Sequence, residues 1–278
     1  MDSDEDPPTD EEQVNISDEK IRKFKRLVGF DHLPGSDEPQ GVRVDWHRLP
    51  AVLAEEVKGL RLDWESMHSF RTGIGTGQWT WLRRDRQLHV EVFVSGTGPV
   101  GARQRLLEIA TDTTTVQSHM VPAIESLGDL SIEHFARTGR EMVWVFHNVC
   151  VVVENDGSGP NVLSVSRRIQ AFMEAHLVRN LAVHVPRIAR IDLSPHPVRS
   201  GDVFSVTLEL DGEVRANHFA IEFRQVSWPL LDPIEHEGTK AVFKAEDAGR
   251  AELEIIVLDP VTLLSPKAGV VIDVLPAL

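Results

Sequence analysis

The chain has 278 residues, 41% of them hydrophobic, with no tyrosine and a single cysteine, Cys150. That is enough apolar material for two ordinary domains with proper cores, and it excludes an intramolecular disulfide and any phenolic acid catalyst. The formal net charge of −14 argues against a basic face that would bind nucleic acid phosphate without sequence preference.

The charge is uneven. Nine acids and only Lys20 in the first twenty residues give −8, leaving −6 for the rest. Residues 1–17 carry Pro7, Pro8 and almost no large apolar groups, so burial does not offset the entropy of ordering them, and a disordered acidic tail is expected. Nothing in this stretch has the basic and apolar regions of a secretory leader, and no run approaches the roughly 18 apolar residues of a membrane span. A soluble protein is expected, cytoplasmic by default and extracytoplasmic if a leader has been removed.

Over 18–40 the pattern predicts a short helix and a linker. Ser17 suits an N-cap, Ile21, Phe24 and Val28 share a face, and Gly29 stops the helix. From 41 to 184 the periodicity predicts an α+β domain. Pro50 and Gly59 bracket a short helix with Leu53 and Val57 on one side. Residues 78–83 and 88–95 alternate as a hairpin turning at 84–87, and ARQRLLEIATD then switches to helical spacing through Leu106, Ile109 and Ala110. Leu130, Ile132, His134 and Ala136 mark another strand, and Gly139 turns the chain into the most continuously apolar stretch, EMVWVFHNVCVVVE at 141–154. Split at His147-Asn148, that stretch makes two strands of ordinary length pairing Phe146 with Val149. Val162, Val165, Ile169, Phe172 and Met173 then line the inner face of a closing helix.

This block, with LGD at 127–129, the VWVFHNVCVVVE run and the amphipathic helix after it, loosely resembles the small Mog1/PsbP-like α+β domains of bacterial lipoproteins. The resemblance covers about half the chain and implies a binding or assembly scaffold. From 185 to 278 helical spacing disappears, and IARIDLS, VFSVTLELDG, NHFAIEFRQV, KAVFKA, GRAELEIIVLD and AGVVIDVLP read as six strands of an all-β sandwich. The PxxVxxGD pattern at 195–202 and AEDAGRAELEIIV resemble bacterial immunoglobulin-like domains, which implies a spacer or a protein- or glycan-binding module.

Chemistry is sparse. Cys150 has His147 nearby, but residues three apart on a strand face opposite sides, and in a hairpin His147 sits in the turn, so a nucleophile-base pair is not expected. Gly73, Gly75 and Gly77 match neither a dinucleotide fingerprint nor a P-loop and read as a flexible or tight loop. The twelve histidines form no metal-ligand spacing, although His184 and His196 flank the domain junction. Carboxylates such as Glu55-Glu56 and Glu235 with Glu237 are adjacent or exposed. Trp79 and Trp81 point to one face of a hairpin and, with Trp228, are candidates for a ring platform that holds a sugar or peptide.

The expectation is an interaction or assembly module that is not an enzyme, with no cofactor or metal, engaging a protein partner, basic in charge, through the β-sandwich and acidic tail. Self-association stays open. The alternatives are a carbohydrate-binding accessory protein using the tryptophans and an enzyme without a recognisable motif.

Overall fold

The computed structural model describes residues 19, 21–30, 41–71, 74–96, 98–111, 120–134, 139–179, 187–211, 219–227 and 231–277. The predicted acidic tail at 1–17, with its Ser17 cap, therefore lies outside the described residues. The described chain is a sheet-rich α+β protein whose sheets are mostly antiparallel. It divides into two compact units, one drawn from Met1–Arg43, Arg48–Glu65 and Gln78–Leu181, the other from Val44–His47, Ser66–Gly77 and Ala182–Leu278.

In the first unit a helix, α1 (21–28), buries Phe24 and half-buries Ile21 and Val28, then ends at Gly29 with φ +67°. β1 (Gly41–Val42) leads to α2 (Leu49–Val52). The predicted helix runs for only one α-turn before looser turns carry Leu53 and Val57 into the core and Gly59 closes them with φ +85°. β2 (Arg61–Arg71), β3 (Ile74–Arg83) and β4 (Arg86–Ser95) follow, with residues Ser66–Gly77 at the β2–β3 end counted in the second unit and Arg84 at φ 53° in a turn shorter than the predicted 84–87. Then come α3 (Pro99–Thr111), β5 (Met120–Pro122), β6 (Leu130–His134), β7 (Glu141–Phe146), β8 (Val149–Gly157), α4 (Val162–Glu174) and β9 (Leu177–Val178). β2 to β8 form one sheet in the order β2-β3-β4-β8-β7-β6-β5, and β1 pairs with β9.

The apolar stretch at 141–154 is the predicted hairpin, with Phe146 opposite Val149, Val145 opposite Cys150 and Trp144 opposite Val151. Directly opposed residues share a face and successive residues alternate. Trp144, Val151 and Val92 therefore lie on one face, where the Trp144 indole N–H donates to Gln170 of α4 at 3.0 Å. Val145, Cys150 and Phe93 lie on the other, where Arg105 of α3 stands 4.2 Å over the Phe93 ring. Both faces are covered, so both must be apolar. All five predicted inner residues of α4 are buried, and Asn161 caps its first turn by accepting from Ser164 N–H at 2.9 Å.

In the turn itself His147, and not the asparagine that more readily accepts a left-handed backbone, takes the positive φ, at 52°. Asn148 is committed elsewhere. Its buried Oδ1 accepts the Val42 N–H at 2.7 Å, and its backbone oxygen accepts the Ser95 N–H at 2.8 Å. The His147 N–H donates to the Asp129 carboxylate at 2.9 Å. Gly128, at φ +59°, lies so close to β7 that a Cβ there would stand 2.2 Å from the Val145 oxygen.

The second unit contains β10 (Ile188–Ser194), β11 (Val198–Arg199), β12 (Val203–Leu210), β13 (Ala220–Gln225), β14 (Leu231–Glu237), β15 (Lys240–Ala245), β16 (Gly249–Leu258) and β17 (Lys267–Leu275). They form two four-stranded sheets, β10-β12-β15-β14 and β11-β17-β16-β13. Phe204, Val206 and Phe243 of the first and Val198, Leu253, Ile255 and Ile272 of the second belong to one hydrophobic core. The PxxVxxGD pattern has a local cause. Val198 is buried, Gly201 turns with φ +90°, and Asp202 accepts the Arg199 N–H at 2.9 Å. β11 and β14 lie in segments expected to be turns or loops, and this corrects the six-strand reading. β14 carries Pro233 and a register shift between Pro233 and Glu235, features that pairing with β15 along only one side tolerates.

Two measurements test this core. Replacing Asn148 with alanine leaves the buried Val42 N–H without its acceptor, and the expected loss is about 1–3 kcal/mol in urea unfolding; a change under about 0.5 kcal/mol would show that this bond does not anchor β1. Burial, opposed by Arg105 and assisted by Glu91, pushes the Cys150 thiol far above its ordinary value of 9.0. Above pH 9 the unfolded chain releases a proton that the folded chain keeps, so stability falls with pH. Relative to Cys150→Ala, the native protein should lose up to about 1.4 kcal/mol per pH unit above that point, read from urea midpoints at successive pH values.

Candidate interaction surface

Within the second unit β13 and β14 each form one end of their sheets among the described residues, opposite β11 and β10. Residues on an end strand keep one row of backbone N–H and C=O groups unpaired by the sheet, which makes such edges templates for another chain. Where these two strands approach each other the structure has a groove of about 330 Å³, floored by Ile221, Phe223, Pro233, Ile234 and Phe243. Phe223 of one sheet meets Phe243 of the other edge-on, with centroids 6.3 Å apart, and also meets His236 at 5.1 Å. Ile234 is 55% exposed and Val226, just past β13, is 62% exposed. Glu222 and Glu235 stand on the groove's lining, with Asp232 and Glu237 along β14. The surface thus combines an apolar floor, acidic flanks and two strand edges.

The tryptophan platform is corrected. Trp79 and Trp81 are 0% and 2% exposed, and Trp79 directs its indole N–H to Glu65 at 3.0 Å. These rings serve the core of the sheet because their strand alternates large apolar groups towards a covered face. Trp228 lies outside the described residues. Cys150 is buried on the α3 face while His147 is in the turn, so they do not form a nucleophile-base pair. The glycine-rich loop is also corrected: Gly75 and Gly77 lie within β3, and a Cβ on Gly75 would stand 2.2 Å from the Thr262 backbone oxygen, a close approach only glycine permits. Gly73 and His184 are outside the described residues, and His196 sits in the β10–β11 link. Among the described residues no group of three or more histidine, cysteine or acidic side chains is placed to hold a metal ion. Of the acidic pairs singled out in the sequence, Glu235 alone lines the groove, while Glu237 lies further along β14.

The floor residues were missed by sequence reasoning because they come from two strands of different sheets. The available signal was Ile234, a lone branched apolar residue in the polar run LDPIEHE. No family model matches this chain, and no curated protein matches it.

Proposed function

We propose that this chain is a protein-interaction module whose second unit is an immunoglobulin-like sandwich that takes up an extended, basic partner segment along β13. The observation that carries the reading is the groove between β13 and β14, an apolar floor exposed at Ile234 beside a strand edge. Strand addition supplies affinity through main-chain hydrogen bonds and specificity through pockets for alternate side chains. β13 suits the pairing better than β14, because Pro233 removes a donor from β14 and its register shift bends that edge. A segment alternating valine-like and lysine-like residues would place apolar groups on Ile221, Phe223 and Ile234 and cations near Glu222 and Glu235. The acidic composition of residues 1–17 and the net charge of −14 support the same choice of partner, because opposite charge speeds encounter.

The test is fluorescence anisotropy with a labelled (Lys-Val) repeat of eight residues, with (Glu-Val) and proline-interrupted versions for comparison. The basic peptide should bind saturably, Ile234→Asp should weaken it by about tenfold, and the other two should fail. Equal binding of all three peptides, or none by the wild type, overturns the reading, and concentration-dependent dimerisation competing with the peptide would assign the edge to a second copy instead. Deleting residues 1–17 should slow peptide association most at low salt; an association rate that is unchanged at every salt concentration removes the tail's role.

A further inference from the structure

The first unit holds a second candidate, unrelated to the groove. On the α3 face of the large sheet the side chains change character along the strands. Phe93, Cys150 and Val145 form the apolar end beneath α3. At the other end Gln87 pairs with Asp156, His89 with Glu154, and Glu154 with Glu141, so that five polar side chains share one face. Gln78 donates to Glu91, and the Thr80 hydroxyl is 3.0 Å from Nδ1 of His89. That contact fixes the ring of a half-buried histidine and leaves Nε2 as its other polar atom. The residues around this end enclose a cleft of about 530 Å³, bounded by Gln87, His89, Arg140, Glu154 and Asp156. Arg140 enters from the turn before β7, held there by its backbone oxygen, which accepts the Asn155 N–H at 2.8 Å.

Among the described residues neither the Arg140 guanidinium nor the Asp156 carboxylate makes an ion pair, although both bound the same space. A ligand that contacts both carries a negative and a positive group on one small frame. A simple anion would meet Glu154 and Asp156, and a simple cation would meet Arg140. We propose that the cleft binds a small zwitterion of the α-amino-acid class, with its carboxylate on the Arg140 fork and its ammonium on Asp156. The planar guanidinium accepts a carboxylate bidentately, and charge-assisted bonds of this kind are the strong ones. His89 and Gln87 supply polar contacts to the ligand's side chain.

The experiment is calorimetric or NMR titration of the full chain with each of the twenty common L-α-amino acids. At least one should bind saturably. Arg140→Gln and Asp156→Asn, both at exposed positions, should each weaken it about tenfold or more, with circular dichroism confirming that they fold. Capping the ligand separates the two contacts. Its carboxamide should bind wild type weakly yet lose nothing further in Arg140→Gln, and its N-acetyl form should behave likewise with Asp156→Asn. Absence of saturable binding by all twenty, or variants that bind as the wild type does, overturns the proposal. Binding of the (Lys-Val) peptide at the groove is read separately, so failure at one site leaves the other intact.

Discussion

The register of β7 against β8 is the constraint on which the first unit depends. Strand side chains alternate with period two, so slipping this hairpin by one residue would exchange Trp144 with Val145 and move the indole from α4 to the face under α3. Because both faces are apolar, hydrophobicity alone discriminates weakly between the two registers. The turn supplies what burial lacks. His147 accepts a left-handed backbone, its N–H is taken by Asp129, and Asn148 bonds outward to Val42 and Ser95. These bonds tie the turn to three separate segments, and a slipped register would break all of them while leaving buried polar groups unpaired.

From that register the chemical asymmetry of the sheet follows. Once Trp144 is turned towards α4, Cys150 and Phe93 must face α3, and the continuation of the same row through Glu91 and His89 must share the α3 face. Where α3 packs, the row is apolar; where the row turns polar, it bounds a cleft. The thiol belongs to the packed end, so burial suppresses its ionisation and it behaves as a small hydrophobe. The acids and the histidine belong to the other end. One strand pairing therefore separates inert packing from candidate recognition along a single sheet face.

The elements that could be read from sequence were those whose burial is complete and local. The 147–148 hairpin, the inner stripe of α4 and the stop at Gly29 all rest on contacts within a few residues or on strong periodicity. β14 was not legible because it is an end strand whose run Pro233-Ile234-Glu235 lacks the alternation that marks a half-buried strand, whereas β2, also an end strand, does alternate at Leu62-Asp63-Trp64 and was passed over. β11, two residues long, offers no period at all. The tryptophans misled for the opposite reason. Alternation correctly placed Trp79 and Trp81 on one face, yet alternation does not say which face is covered, and their burial depends on long-range packing.

The candidate sites were less legible than the fold, and the reason is geometric. His89 and Glu154 are directly opposed across β4 and β8, yet the intervening chain includes a helix and three strands. Phe223 and Phe243 meet across two sheets and Ile234 joins them from a third strand. Neither set has a spacing that a motif could encode, because the pairing of strands and not the order of residues brings the groups together. The groove carries its own argument against being an unremarked edge. An exposed apolar residue on a strand edge invites indiscriminate pairing, and β14 counters this with Pro233, a register shift and three acids. β13 has no proline and no shift in its pairing, and it carries Arg224 beside Glu222. Among the described residues one edge is guarded and its neighbour across the groove is not, the arrangement on which the proposed strand-binding role rests.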